Sequence, residues 1–216
     1  MEAIGFEAAE LLDADGVALG PGLSDAEFTS VHERFGFHFN PDHRSLLAAA
    51  LPLGDGWPDW RSGDDPELTT WLDRVAEGFI WDALHQTPPF WPASWGELPA
   101  TPEEVATTVR RQLESWPRLI PIYRHRFTPA APSPAGSPVL SVWQTNVIYY
   151  GADLVEYLRN AAPSRPRPKV SLAHHRPRAV LVPVRRVGEQ RRIGLTDGRS
   201  QTAGRSSPSV SLRAMS

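Results

Sequence analysis

His125, set between Arg124 and Arg126, is the imidazole in this sequence best placed for chemistry, because it falls in an expected strand beside segments rich in hydroxyl and amide groups. If the neighbouring strands pair, Ser141, Gln144, Thr145, Asn146, Tyr149 and Asp153 converge with His125 and Arg126 on one polar cleft, a site for a small polar ligand or for hydrolysis. The same groups also suit a buried polar network that fixes the sheet and the start of the last helix. The other histidines offer less. His32 and His43 lie on expected helices without a second ligand at i+4, which leaves them facing solvent, and His38 lies in a short extended link. Asp82 and His85 have a spacing that meets a metal only on a helix, whereas Phe79-Ile80-Trp81-Asp82 reads as a buried strand. His174 and His175 fall near the C-terminus. With no cysteine in the chain, disulfides, thiolate metal sites and cysteine nucleophiles are excluded. There is also no nucleophile elbow, no phosphate-binding glycine loop and no paired-histidine motif. The expectation is a protein that is not an enzyme and carries no metal or cofactor.

Protein binding has more to draw on. Trp57, Trp60, Trp91 and Trp95 sit in Pro- and Gly-rich loops away from any periodic face, where tryptophan either anchors a partner or closes the core beneath a long loop. Between Asp55 and Asp82 eight acids stand against Arg61 and Arg74. Asp59, Asp64 and Asp65 in that run would draw in a basic protein.

Charge also divides the chain. Residues 1–162 carry ten Arg, no Lys and 23 acids, a net charge of −13, whereas residues 163–216 carry twelve basic residues against Glu189 and Asp197. All eight Trp, eight Phe and four Tyr lie before Ala161. A segment without aromatics cannot offset an ordering cost of about 1–2 kcal/mol per residue, so 163–216 is expected to be a disordered basic tail. Nucleic acid is an expected partner only through that tail, or the tail has no selected role. The longest apolar stretch, Leu46 to Leu53, falls far short of the roughly 18 residues of a membrane span, and the first twenty residues lack Lys and Arg. These features point to a cytoplasmic protein.

The elements that position these residues can be read from caps and periodicity. Ser24 and Glu27 form a capping box and Leu23 with Phe28 a hydrophobic staple, opening a helix that Gly36 ends. Asn40-Pro41 starts a second helix ending at Pro52, and Pro66 to Ala76 is a third with Gly78 as its stop. Thr101-Pro102-Glu103-Glu104 opens an amphipathic fourth. Leu119 to Phe127 reads as one strand, at an edge because of Pro121. Val139 to Thr145 and Val147 to Tyr150 follow as strands, and Asp153 starts a closing helix. Helices, a small mostly antiparallel sheet and a last helix make an α+β domain over 22–162, preceded by an extension, 1–21. Its expected core includes Phe28, Val31, Leu47, Trp71, Ile80, Val109, Ile120, Val142 and Ile148.

Three stretches carry a resemblance to a known family. The opening Gly22-Leu23-Ser24-Asp25-Ala26-Glu27, the helix step from Phe35 through Asn40-Pro41 to Leu47, and Tyr150-Gly151-Ala152-Asp153-Leu154 resemble the SUKH superfamily, which includes the yeast Smi/Knr cell-wall regulator and many bacterial immunity proteins. Gly56-Trp57-Pro58-Asp59-Trp60-Arg61, Pro121 to Pro129 and Ser141 to Gly151 are similar to a high-GC Gram-positive branch of it, departing from that pattern at Leu84, Gln86, Arg124 and Asn146. The resemblance spans about Gly22 to Arg159. It implies a non-catalytic domain that neutralises a toxin, such as a basic toxin domain, by direct binding, or alternatively a regulatory scaffold; a small-molecule protein using the His125 cleft is the third choice.

Overall fold

Three helices of the N-terminal half begin at a side-chain cap, Ser24, Asn40 and Asp64. In the computed structural model, which describes residues 2–161, the order is α1 (Glu2–Ala14), β1 (Ala18–Pro21), α2 (Asp25–Phe35), α3 (Pro41–Ala49), β2 (Ala50–Leu53), α4 (Asp65–His85), α5 (Pro102–Leu113), β3 (Leu119–Tyr123), β4 (Arg126–Pro129), β5 (Val139–Trp143), β6 (Asn146–Gly151) and α6 (Leu154–Ala161). The expected tail and its His174 and His175 lie outside the described residues.

Both halves of the Ser24–Glu27 capping box are made, and Gly36 closes α2 in the left-handed conformation. Buried Asn40 caps α3 through its side-chain oxygen, while its amide donates to Thr128 Oγ1 at 2.7 Å and to the Pro129 carbonyl at 2.8 Å. A single cap thereby ties a helix start to β4.

β1 and β2 pair as a small antiparallel ribbon; β3, β4, β5 and β6 form an antiparallel meander in that order, with β3 and β6 at its edges among the described residues. Helices cover both faces. Phe127, Leu140 and Val142 pack on one side, where Val75 of α4 meets them. Ile122 and Val139 pack on the other with Leu46 of α3, Ala8 and Leu12 of α1, and Leu154, Tyr157 and Leu158 of α6. A third cluster joins α4 to α5 through Phe79, Ile80, Val105 and Val109. This is an α+β domain with a small antiparallel sheet, and none of its described helices is long and apolar enough to cross a membrane.

Several expectations need correction. Residues 2–21 are no extension: α1 supplies Ala8 and Leu12 to the core, and β1 pairs with β2. Pro52 does not follow a helix but lies within β2, so the second helix ends earlier, at Ala49. The third helix runs on through Gly78 to His85, and Phe79-Ile80-Trp81-Asp82 is helical. Gly78 is required for closeness instead of as a stop, since a Cβ there would lie 2.8 Å from the Gln144 Cα. Leu119 to Phe127 is two strands with a turn at Arg124 and His125. Of the expected core, Trp71 is half-buried and Ile148 is 47% exposed, because β6 is an edge strand.

Candidate functional site

Two hairpin turns lie side by side at one end of the sheet, Arg124-His125 between β3 and β4 and Gln144-Thr145 between β5 and β6. Each turn opens on a non-glycine residue in the left-handed region, with φ of 48° at Arg124 and 56° at Gln144. Such conformations persist only where the surroundings hold them. Here they are held. The Arg124 amide donates to the Gly56 carbonyl at 2.8 Å, and Gly56 passes so close that a Cβ would lie 2.7 Å from the Tyr123 ring. On the second turn, buried Asp82 of α4 accepts from the Thr145 amide at 2.9 Å and from the Thr145 hydroxyl at 2.6 Å. With Gly78 against Gln144, the last two turns of α4 are clamped to the hairpin.

Between α4 and the tips runs an open groove of about 670 Å³, lined among others by Arg74, Trp81, Arg124, His125, Trp143 and Gln144. Trp81 is 48% exposed and Trp143 61%. His125 packs edge-on against the Trp143 ring, and His85 stacks on Trp81 while its Nδ1 lies 2.9 Å from the Trp81 carbonyl. Arg74 lies over the Trp71 ring and Arg124 over Tyr123. Glu77, also on the groove wall, is engaged by Arg110 of α5. Partial burial depresses the His125 pKa below the ordinary imidazole value, and Arg126, Arg124 and Arg74 lower it further. Three guanidinium groups around this imidazole give a positive local potential on a domain that is acidic overall.

The expected polar cleft does not assemble. His125 and Gln144 share the groove, but Arg126 donates to Ser141 Oγ at 2.9 Å and lies over the Tyr150 ring. Thr145 is taken up by Asp82, and Asn146 and Tyr149 are exposed on β6. Asp153 stands beyond the far end of β6, where its carboxylate accepts from the Glu156 amide and caps α6. Four of the eight, Arg126, Ser141, Thr145 and Asp153, make structural hydrogen bonds of the kind the alternative reading expects.

The loop tryptophans also move. Trp60 is 1% exposed, enclosed by Phe37 and Phe39 in edge-on contacts, and is a core residue. Trp57 is half-buried against Tyr123, and Trp91 and Trp95 pack on each other and on the α4–α5 cluster. Asp59 accepts from the Arg61 and Ser62 amides, Asp64 caps α4, and Asp65 pairs with Arg34. His43, expected in solvent, is buried on the inner face of α3, and His32 is half-buried in a stack with His38. Asp82 and His85 do share a helix, yet Asp82 is spent on Thr145, and among the described residues no three His, Asp or Glu side chains gather as a metal site.

Trp81, Trp143, Arg74 and Arg124 were not among the expected partner-binding residues. The signal for Trp81 was present, since Leu68, Leu72, Val75, Phe79 and Ala83 continue one helical stripe past Gly78 and leave Trp81 and Leu84 off it. The chain matches no protein-family model, no curated protein and no solved structure at a significant level.

Proposed function

We propose that this chain is a non-catalytic protein-binding domain of the SUKH immunity type, acting in the cytoplasm by covering a toxin, and that its docking face is the β5–β6 hairpin with the end of α4. The observation that carries this is a concentration of apolar surface. Trp81 and Leu84 on α4, Trp143 on β5, and Val147, Ile148 and Tyr149 on β6 are six of the nine large hydrophobic side chains exposed among the described residues. The register sets Val147 opposite Val142 and Ile148 opposite Ser141, so these side chains wrap both faces of the hairpin; exposed apolar surface marks interaction sites, and tryptophan, tyrosine and arginine are the residues most enriched among binding hot spots. The three motifs resembling the family and the net charge of −13 over residues 1–162 support the same reading, since a basic toxin would be steered to an acidic domain.

The test is protection in cells. Where a toxin domain is encoded beside its gene, co-expression of the chain with that domain should restore growth and form a stable complex, and the double substitution Trp81→Ala, Trp143→Ala should abolish both without unfolding the domain. Full protection by that variant would remove the docking face, and no protection by the native chain would remove the immunity role.

A further inference from the structure

We propose, building on the protein-binding reading above, that the groove at the two hairpin tips takes an extended acidic segment of the partner, with a carboxylate between Arg74 and Arg124 and an apolar side chain between Trp81 and Trp143.

Charge complementarity argues for the acidic chemistry. Arg74 makes no ion pair with a described carboxylate, and its side-chain NH1 reaches only the Arg124 carbonyl, at 3.4 Å. Arg124 has Asp55 at 3.1 Å, an aspartate 95% exposed that a better-placed carboxylate can displace at little cost. Glu77, the acid on the groove wall, is already held by Arg110. Guanidinium groups next to stacked aromatic rings bind carboxylates with two parallel hydrogen bonds and lose little freedom in doing so. Burial lowers the His125 pKa, and the charges of Arg126, Arg124 and Arg74, which lower it further, make a field of the same sign.

The extended shape follows from the sheet. β6 is an outer strand whose residues Asn146 to Tyr149 are all exposed, and Asn146 pairs directly with Trp143. A chain laid as a further strand beside Asn146 and Val147, next to the hairpin tip, still reaches the groove. The two charge signs then divide the work. The acidic surface at the start of α4 attracts a basic partner at long range, and the basic groove fixes its orientation by accepting one acidic segment.

Direct measurement can use fluorescence anisotropy of the full-length chain with two labelled eight-residue peptides, one alternating aspartate with phenylalanine and a twin with lysine in place of aspartate. The acidic peptide should bind the native chain, and Arg74→Glu or Trp143→Ser should each weaken it by about tenfold or more, while Glu10→Gln on α1 leaves it unchanged. The double variant Arg74→Glu, Arg124→Glu should prefer the lysine twin, a gain that misfolding cannot produce. Equal binding by the native chain and the groove variants would overturn the proposal, because the attraction would then come from the basic C-terminal segment or from charge in general. Displacement of the acidic peptide by an eight-nucleotide oligothymidylate would overturn it in favour of nucleic acid. A lysine preference in the native chain, with growth protection still lost in Trp81→Ala, Trp143→Ala, would overturn the acidic chemistry alone and leave the docking face standing.

Discussion

Trp60 sits in a Pro- and Gly-rich loop and is 1% exposed, whereas Trp143 closes a regular β-strand and is 61% exposed. Around Trp60 the loop from Gly54 to Gly63 folds over α2 and α3 and contributes to a core shared with Phe37, Phe39 and Ile120. Around Trp143 the hairpin is rigidly held from behind, by Asp82 and by contact at Gly78, yet its outer side is bare. A loop long enough to need pinning uses its aromatics as pins. An edge hairpin already fixed by a helix does not, so its aromatics stay exposed. The acidic surface belongs to the first region and the arginine groove to the second, and Asp65 and Trp81 are about 24 Å apart along α4 at about 1.5 Å per residue.

The contrast is broken most easily at the tryptophans themselves. Trp60→Ala should cost about 3–5 kcal/mol of unfolding free energy, as expected for a large buried ring, and should weaken partner binding only through loss of folded protein. Trp143→Ala should change stability by less than about 0.5 kcal/mol and should weaken partner binding by about 2 kcal/mol or more. Denaturant titration and calorimetry on both variants check this, and similar stability losses would show that the two regions do not differ.

A second way to sharpen it is pH. His43 lies beside Trp60, packed edge-on against Phe39, with its Nδ1 unpaired among the described residues. Burial pushes its pKa down to about 3. The unfolded chain therefore takes up a proton near pH 6.5 that the folded chain refuses. Stability is fully present above pH 6.5 and is lost as the pH falls toward 3, by about 2–3 kcal/mol between pH 6.5 and 4.5. His125, lowered in the same direction but partly exposed, adds to this limb. Glu27, held near a pKa of about 2 by Arg61, contributes stability that is lost only below about pH 4.5. Urea titrations at pH 7.5, 5.5 and 4.5 should show the loss in the native chain and a flatter profile in His43→Leu. Equal slopes would mean that His43 is solvated and the region around Trp60 is open.

The third prediction concerns the clamp behind the hairpin. Gly78→Ala improves helix propensity by about 1 kcal/mol, yet its Cβ would sit 2.8 Å from the Gln144 Cα. Overpacking against backbone should dominate, for a net loss of about 1–2 kcal/mol, with weaker partner binding as the tip is displaced. A rise in thermal midpoint would show that α4 and the tip are not in contact.

How much of this was legible in the sequence depends on the range of the interaction. Caps are local, so Ser24–Glu27, Asn40-Pro41 and the start of α5 at Thr101 could be read directly, and with them the α+β order. Pro121 placed β3 at an edge. A glycine that ends a helix and one that admits a neighbouring backbone look identical in sequence, and at Gly78 only the distant Gln144 distinguishes them. Ile148 was misplaced for a related reason: apolar alternation predicts a strand, but not that it will be the last in the sheet. The groove unites residues from Arg74 to Gln144, and no local pattern records that meeting. Buried His43 gave no signal beyond its place on α3.

The smallest expected effect lies at the turn that presents Trp143. Gln144 adopts φ of 56°, a conformation costing most side chains of order 1 kcal/mol or more and glycine almost nothing. Gln144→Gly should relieve that strain, but it also frees the unfolded chain, so the net gain in stability should be about 0.5 kcal/mol or less. The informative readout is binding. If Gln144 serves only to turn the chain, the glycine variant keeps its partner affinity, because Asp82 still holds Thr145 and the hairpin still presents Trp143. If its side chain contributes to the groove it lines, affinity falls while stability holds or rises. A loss of stability would contradict both, and would mean that Gln144 makes an interaction worth more than its backbone strain.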